Sequence, residues 1–307
     1  MCFVKPSRPY RLTVSSQTIT SQRQLFDPSA ARSGIRPFLK WAGGKTRLLE
    51  VLLESLPPKP FRRYFEPFIG GGAMFFSLAP DEAMLSDSNP ELISCYEVVR
   101  NSPRELITEL KNYTVTEAEF YRIRAILPAT LTAVQRAARF IYLNKTCFNG
   151  IYRVNKRGNF NTPFGHYTTV NLVDERNLLR ASDLLKRSSL FCQDYQCILD
   201  NAERGDFIYF DPPYVPVSKF ADFKRYTKEF FYEADHAKLA EVFANLDERG
   251  CFVMLSNSFH ETVSTMYRRY FQITVQVPRF VNCKGEGRGN VPELLISNYP
   301  ISGNSLA

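Results

Sequence analysis

Histidine is scarce in this chain, at three residues, and tryptophan occurs once, at Trp41. Seven cysteines (Cys2, Cys95, Cys147, Cys192, Cys197, Cys251 and Cys283) include no C-x-x-C pair, so neither a disulfide framework nor a redox dithiol is signalled. Cys192 and Cys197 have no histidine near them in sequence, which disfavours zinc; reduced, mostly buried thiols and no metal are expected. Apolar runs stay far below the ~20 residues that cross a bilayer, so no membrane span and a cytoplasmic location are expected. Residues 1–34 lack the apolar stretch of a signal peptide and read as a flexible extension, with Lys5, Arg8, Arg11 and Arg23 scattered among Ser, Thr and Gln.

Acid is missing where base is plentiful. From Phe120 to Val173 there is no Asp or Glu, while Arg122, Arg124, Arg136, Arg139, Lys145, Arg153, Lys156 and Arg157 supply eight positive charges, equal to the formal net charge of +8. Solvated helix faces usually mix both signs. An acid-free basic segment interleaved with Phe148, Tyr152, Phe160, Phe164 and Tyr167 therefore points to a nucleic-acid surface.

Around that segment the pattern alternates between strand and helix. Arg62 to Phe68 reads as a strand, followed by the turn Gly70, Gly71, Gly72 and a helix opening at Ala73. A second strand, Ala83 to Ser86, runs into Asp87, with Asn89 and Pro90 as helix cap and first position. Helical pattern then fills Ser102 to Asn144, with capping-box spacing at Thr116/Glu119 and Thr132/Gln135. A hairpin is expected from Ile151–Asn155 and Asn159–Thr162, turned at Lys156, Arg157 and Gly158, with Ile151, Arg153 and Asn155 on one face and Tyr152 and Val154 on the other. Strands at Leu190–Asp194, Asp206–Phe210 and Cys251–Leu255, a helix near Glu233–Asp247 closed by Gly250, and a final antiparallel pair (Phe271–Val277, Glu293–Tyr299) joined by the loop Lys284–Asn290 complete the pattern.

Chemistry concentrates at Asp211-Pro212-Pro213-Tyr214, directly after the apolar run Phe207 to Phe210. Such a tetrapeptide arises by chance on the order of once in a thousand chains. It falls at the carboxyl end of a strand, where open α/β sheets bind ligands. A carboxylate and a proline carbonyl suit an aromatic amine, a poor nucleophile that gains reactivity when both N–H groups are held and its lone pair is aimed at an electrophile. Tyr214 offers a stacking face. Asp87, 17 residues beyond Gly70, suits a ribose diol. A dinucleotide fingerprint would want glycine at Phe75, and the phosphate-loop look of Gly44-Lys45-Thr46 lacks its first glycine at Leu39, so both nucleotide readings fail. Methylation at cytosine C5 needs a cysteine after proline, and none exists.

Beyond Asp-Pro-Pro-Tyr, the blocks FLKWAGGK (Phe38–Lys45), FEPFIGGG (Phe65–Gly72), SDSNPELI (Ser86–Ile93) and LNKTCFNGIYRVNKRGNFNTPFGHY (Leu143–Tyr167) resemble the Dam family of N6-adenine DNA methyltransferases, in the family's order from Phe38 to Tyr299. The resemblance implies a Rossmann-like α/β sheet with an antiparallel terminal strand (35–89 and 174–301) and an inserted helical target-recognition domain with a β-hairpin (90–173). It implies S-adenosylmethionine as donor, with S-adenosylhomocysteine as product, contacted by Trp41, Lys45, Asp87 and Asp211, with Glu66, Phe68, Gly70 and Gly72 in the loop beneath and Asp194 near the donor's adenine. Asp211, Pro212, Pro213 and Tyr214 are implied to be catalytic. Duplex DNA is implied to meet Lys40, Phe148, Asn149, Ile151, Arg153, Asn155, Arg157, Pro163, His166 and Tyr167, with Arg153 on a guanine, Phe148 and Asn149 beside a flipped adenine, and GATC as the site. His166 stands where some relatives carry arginine. A cognate restriction nuclease is a further expected partner. Methylation of cytosine N4 or of RNA, or a DNA-binding regulator without catalysis, are the alternatives the residues leave open.

Overall fold

The computed structural model describes residues 33–41, 43–57, 61–155, 157–214, 233–278 and 290–301. Most of the expected extension, Cys2 and Cys283, Lys156 in the hairpin turn and 284–289 of the terminal loop lie outside these residues. Ser33 and Gly34 are bound to the body of the protein: the Ser33 hydroxyl donates to the Phe76 carbonyl, and Arg180 donates to both of their carbonyls.

Seven strands form one sheet: β1 (Tyr64–Glu66), β2 (Ala83–Asp87), β3 (Ser188–Cys192), β4 (Phe207–Phe210), β5 (Phe252–Ser258), β6 (Phe271–Pro278) and β7 (Asn290–Ser297), in the order β3-β2-β1-β4-β5-β7-β6. The first five strands in that order pair in parallel, and β7 runs antiparallel to both β5 and β6. This is the expected Rossmann-like α/β sheet with its antiparallel terminal strand. β4 is Phe-Ile-Tyr-Phe, buried at every position, as a parallel strand covered on both faces requires. Its alternation serves two cores. Phe207 and Tyr209 join one with Phe75, Met254 and the inserted helices; Ile208 and Phe210 join the other with Leu255 and Phe243.

Helices of 6 to 16 residues connect the strands, beginning with α1 (Leu49–Glu54) and α2 (Ala73–Leu78). Between β2 and β3 come α3 (Pro90–Asn101), α4 (Pro103–Lys111), α5 (Glu117–Ala125), α6 (Ala133–Thr146) and α7 (Glu175–Leu185); α8 (Glu233–Glu248) and α9 (Glu261–Met266) flank β5. Asn89 caps α3 as its sequence indicates, accepting from the Glu91 and Leu92 amides at 3.1 and 3.4 Å with Pro90 at the first position. α3 lies against β2 and β3 while also meeting α6 and α7. The Thr132/Gln135 capping box is complete. Thr116 caps α5 from one side only, because Glu119 turns outward to bind Arg122. α1, α7 and α9 were not anticipated.

The expected hairpin of two strands is not formed as such. Only the isolated bridge Val154↔Phe160 is present, with Asn155 donating to Asn159 and Asn161 to Arg153 through the backbone at 2.9 and 3.0 Å. At the turn one asparagine side chain takes the place of a ladder carbonyl: Asn155 Oδ1 accepts from the Arg157 and Asn159 amides. The facing survives the shortening, since Tyr152 and Val154 are buried and Ile151, Arg153 and Asn155 are half-buried on the other side. The strand expected at Arg62–Phe68 contracts to Tyr64–Glu66, because Phe68 already belongs to the glycine turn.

Candidate active site and nucleic-acid interface

β4 ends at Phe210 and delivers Asp211 to the carboxyl edge of the sheet between β1 and β5. Lys45, in a single 3-10 turn (Lys45–Arg47), reaches back so that its Nζ lies 2.5 Å from Asp211 Oδ1 while donating to the Gly43 carbonyl at 2.9 Å. The Lys45 side chain is 4% exposed, so this is a nearly buried ion pair whose halves depend on each other. Ser256 of β5 donates to the same Asp211 oxygen at 3.1 Å and shares a 2.8 Å hydrogen bond with the buried Tyr209 hydroxyl. The Lys45 ammonium also sits 4.6 Å from the Tyr214 ring centroid. Tyr214 is fixed at its far end, where its hydroxyl donates to Glu293 of β7 at 2.9 Å; burial and the adjoining carboxylates push that phenol well up. Pro212 is buried and Pro213 exposed.

Beside this centre, β1 runs into the turn Gly70–Gly72. Period two puts Tyr64 and Glu66 on one face, and Glu66, buried, accepts from the Tyr64 hydroxyl at 2.8 Å and the Phe75 amide at 3.1 Å. Desolvation raises the Glu66 carboxyl to about 8, with Asp211 adding to the rise. Asp87, at the end of β2, accepts from the Gly70 amide at 3.2 Å and the Asn89 amide at 3.0 Å, and burial raises it to about 6 despite these bonds. Gly70 and Gly72 both have left-handed φ, and their lack of Cβ answers an internal need: the Trp41 ring lies 2.7 Å from where a Gly70 Cβ would stand, and the Tyr96 hydroxyl 2.8 Å from that of Gly72. Phe68 stacks on Tyr195, with centroids 5.3 Å apart, next to the exposed Asp194, which caps its own turn through the Gln196 amide.

On the inserted side, α6 ends in a 3-10 turn, Phe148–Gly150, that holds Phe148 42% exposed and Asn149 at φ +54°. An apolar ring in water and a left-handed asparagine are two costs at adjacent positions. Pro163 and His166 are exposed nearby, His166 also with positive φ, and Tyr167 carries the Lys40 ammonium 3.9 Å above its ring. Arg153 is oriented by Asn161, donating to its side chain at 2.8 Å and its carbonyl at 3.3 Å. Arg157 is exposed. The basic stretch is, however, not one surface. Arg136 is clamped on Glu91 and Arg122 on Glu119; Arg139, 7% exposed, serves the Ile123 and Arg124 carbonyls, and Lys145 those of Asn171 and Leu172. Arg136, Arg139 and Lys145 thus tie helices to segments distant in sequence, Arg124 donates to the Thr162 carbonyl at 3.2 Å, and Arg122 pairs within its own helix.

Residues 41–279 match the family described as D12 class N6 adenine-specific DNA methyltransferase. The chain belongs to it. Among relatives, a type II methyltransferase, M.MjaIII of Methanocaldococcus jannaschii, is 39% identical over 86% of this chain and 99% of its own length. M1.LlaDCHI of Lactococcus lactis subsp. cremoris is 38% identical over 86% and 96%, and the DNA adenine methylase of Escherichia coli K12 is 34% identical over the same shares. This is accordingly an adenine-specific DNA methyltransferase, and its substrate is DNA. Among the described residues no group of His, Cys, Asp and Glu is placed to hold a metal, and no helix is long and apolar enough to cross a membrane.

Three residues of the candidate site escaped the sequence: Ser256, Glu293 and Asn144. Each acts across a long separation (Ser256 on Asp211 at 45 positions, Glu293 on Tyr214 at 79, Asn144 on Lys40 at 104), where no local spacing announces the contact. The only available hint was a polar residue inside an apolar strand or helix.

Proposed function

We propose that this methyltransferase moves the methyl group of S-adenosylmethionine to N6 of an adenine rotated out of duplex DNA, within GATC. The observation that carries the reading is the placement of Asp211-Pro212-Pro213-Tyr214 at the end of the central strand, with its carboxylate ion-paired to the buried Lys45. The donor fits the residues present: Asp87 ends β2 with its carboxyl drawn toward the turn, Phe68 and Tyr195 offer apolar faces for an adenine beside Asp194, and Asp211 with Lys45 offers both signs of charge to an amino acid tail. Trp41, Gly70 and Gly72 shape the wall between them, and Glu66 supports the turn from beneath through Phe75.

When bound, S-adenosylmethionine supplies an electrophilic methyl on a positive sulfur. The protein's part is orientation and charge. Asp211 and the Pro212 carbonyl accept the two N–H groups of the amine, which aims the nitrogen lone pair out of the ring plane and stabilises the positive charge that grows there. Tyr214, held by Glu293, stacks on the base, and Lys45 and Ser256 hold Asp211 in one rotamer. A base inside the duplex cannot reach this pocket, so it is flipped, with Phe148 and Asn149 filling the gap. Residues 90–173 act as the target-recognition domain, with Arg153 paired to a guanine through O6 and N7 and Lys40, Ile151, Asn155, Pro163 and Tyr167 around it. Arg157 and His166 face phosphates. Action on DNA suits a cytoplasmic, nucleoid-associated protein, and the type II names of two relatives favour pairing with a nuclease. Plasmid exposed to the protein and donor, then digested with nucleases that read adenine methylation in GATC, tests the site: protection elsewhere would refute GATC, and methyl incorporation into cytosine would refute the base.

A further inference from the structure

The donor side and the DNA side meet in one dipeptide. Lys40 lies on Tyr167 and donates to the Lys145 carbonyl at 3.1 Å, in the inserted segment. Its neighbour Trp41 covers Gly70 and Gly71 of the donor turn and stacks on Tyr152 of the hairpin at 6.1 Å. What fixes this dipeptide is Asn144, which is fully buried near the end of α6. Its Oδ1 accepts from the Lys40 amide at 2.8 Å, and its Nδ2 donates to the Lys40 carbonyl at 2.6 Å and to the Gly150 carbonyl at 3.3 Å. One carboxamide therefore binds both main-chain groups of Lys40 and the last residue of the turn that presents Phe148 and Asn149. Contact is tight as well: a Cβ on Gly150, whose φ is +63°, would stand 2.4 Å from Lys40 Cβ.

Resting on the function proposed above, we infer that Asn144 is a positioning residue that couples the two ligands, so that seating DNA on the Phe148–Gly150 turn orders the Trp41 wall of the donor site, and donor binding orders the turn. Linkage makes the effect reciprocal: the factor by which DNA tightens donor binding equals the factor by which donor tightens DNA binding. An amide bound to both main-chain groups of one residue and to the next turn ties the displacement of each to that of the other.

The test is the affinity of the full-length protein for S-adenosylhomocysteine, by calorimetry, with and without a GATC duplex. Emission from Trp41, the chain's only tryptophan, is followed in parallel. The wild type should bind the nucleoside about 5- to 150-fold more tightly with duplex present. In Asn144→Asp, which sets an oxygen against the Lys40 and Gly150 carbonyls, the factor should fall toward one while each ligand still binds, and duplex alone should no longer shift Trp41 emission. Retention of the wild-type factor, or no coupling in a wild type that binds both ligands, overturns the inference. If Asn144→Asp does not fold, Gly150→Ala, which displaces Lys40 and leaves Asn144 intact, must lower the factor, and an unchanged factor there is equally fatal. A wild type that binds no duplex at all would sink the DNA reading beneath it.

Discussion

Asp211 and Lys45 illustrate how one side chain carries two kinds of consequence. Removing the carboxylate should lower kcat by about 10²–10³-fold, the scale seen when a charge-stabilising group is lost. It also strands the Lys45 ammonium, which is 4% exposed, and breaking such a pair costs up to about 3–5 kcal/mol. Asp211→Asn should therefore be both inactive and less stable, whereas Asp211→Asn with Lys45→Met should recover the melting temperature without recovering turnover. Thermal unfolding beside a radiolabelled methyl assay separates the two. The raised carboxyls make a second prediction. A group with a folded value above its unfolded one keeps its proton in the native state after the unfolded chain has released it, so stability falls as pH rises through the interval. For Glu66 that interval runs from about 4.5 to about 8, and Glu66→Gln should flatten the decline of the urea midpoint across it. Asp87, raised to about 6, must be ionised to accept a ribose diol, so S-adenosylhomocysteine affinity should weaken below about pH 6 in the wild type and show no such limb in Asp87→Asn.

Among elements, the hairpin arm shows where sequence reasoning succeeds and stops. Alternation of apolar and polar residues correctly assigned the faces of Ile151–Asn155, because facing depends only on the two-residue period. Its failure was in length: the Asn155 side chain at the turn competes for the bonds a ladder would use. Caps were legible for the same local reason, as at Asn89-Pro90, and so was the carboxyl edge of β4, since proline cannot continue a strand. α7 was missed although Leu178, Ala181, Leu184 and Leu185 make a buried stripe, because its polar residues dominate the composition. Arg153, held by Asn161 on the open face of this arm, should act on one base pair: Arg153→Ala is expected to cost about 1–3 kcal/mol in discrimination at the guanine, measured by methylation of single-substitution duplexes.

For the whole molecule, the internal use of part of the basic stretch sets its response to salt. Eight phosphate contacts would give a slope of log K against log salt near about −7, and the internal use of Arg136, Arg139 and Lys145 should make the measured slope shallower than that. Arg157→Ala should reduce the magnitude of the measured slope by about 1, while Arg136→Gln should lower stability by exposing the Glu91 clamp and leave the slope unchanged. Chain order and sheet order also disagree in a way that concerns synthesis. β1 lies between β2 and β4, and β4 begins only at Phe207, after all the inserted helices have been made. Until then β1 has one side open, and Lys45, buried in the finished protein, has no carboxylate to meet. A ribosome-bound chain stalled before Phe207 should therefore be cleaved readily by protease along β1 and β2, and protection should appear abruptly once Asp211 has left the exit tunnel. The motif that ends β4 would then close β1 against its second neighbour, while competence would wait for β5 and β7 to bring Ser256 to Asp211 and Glu293 to Tyr214.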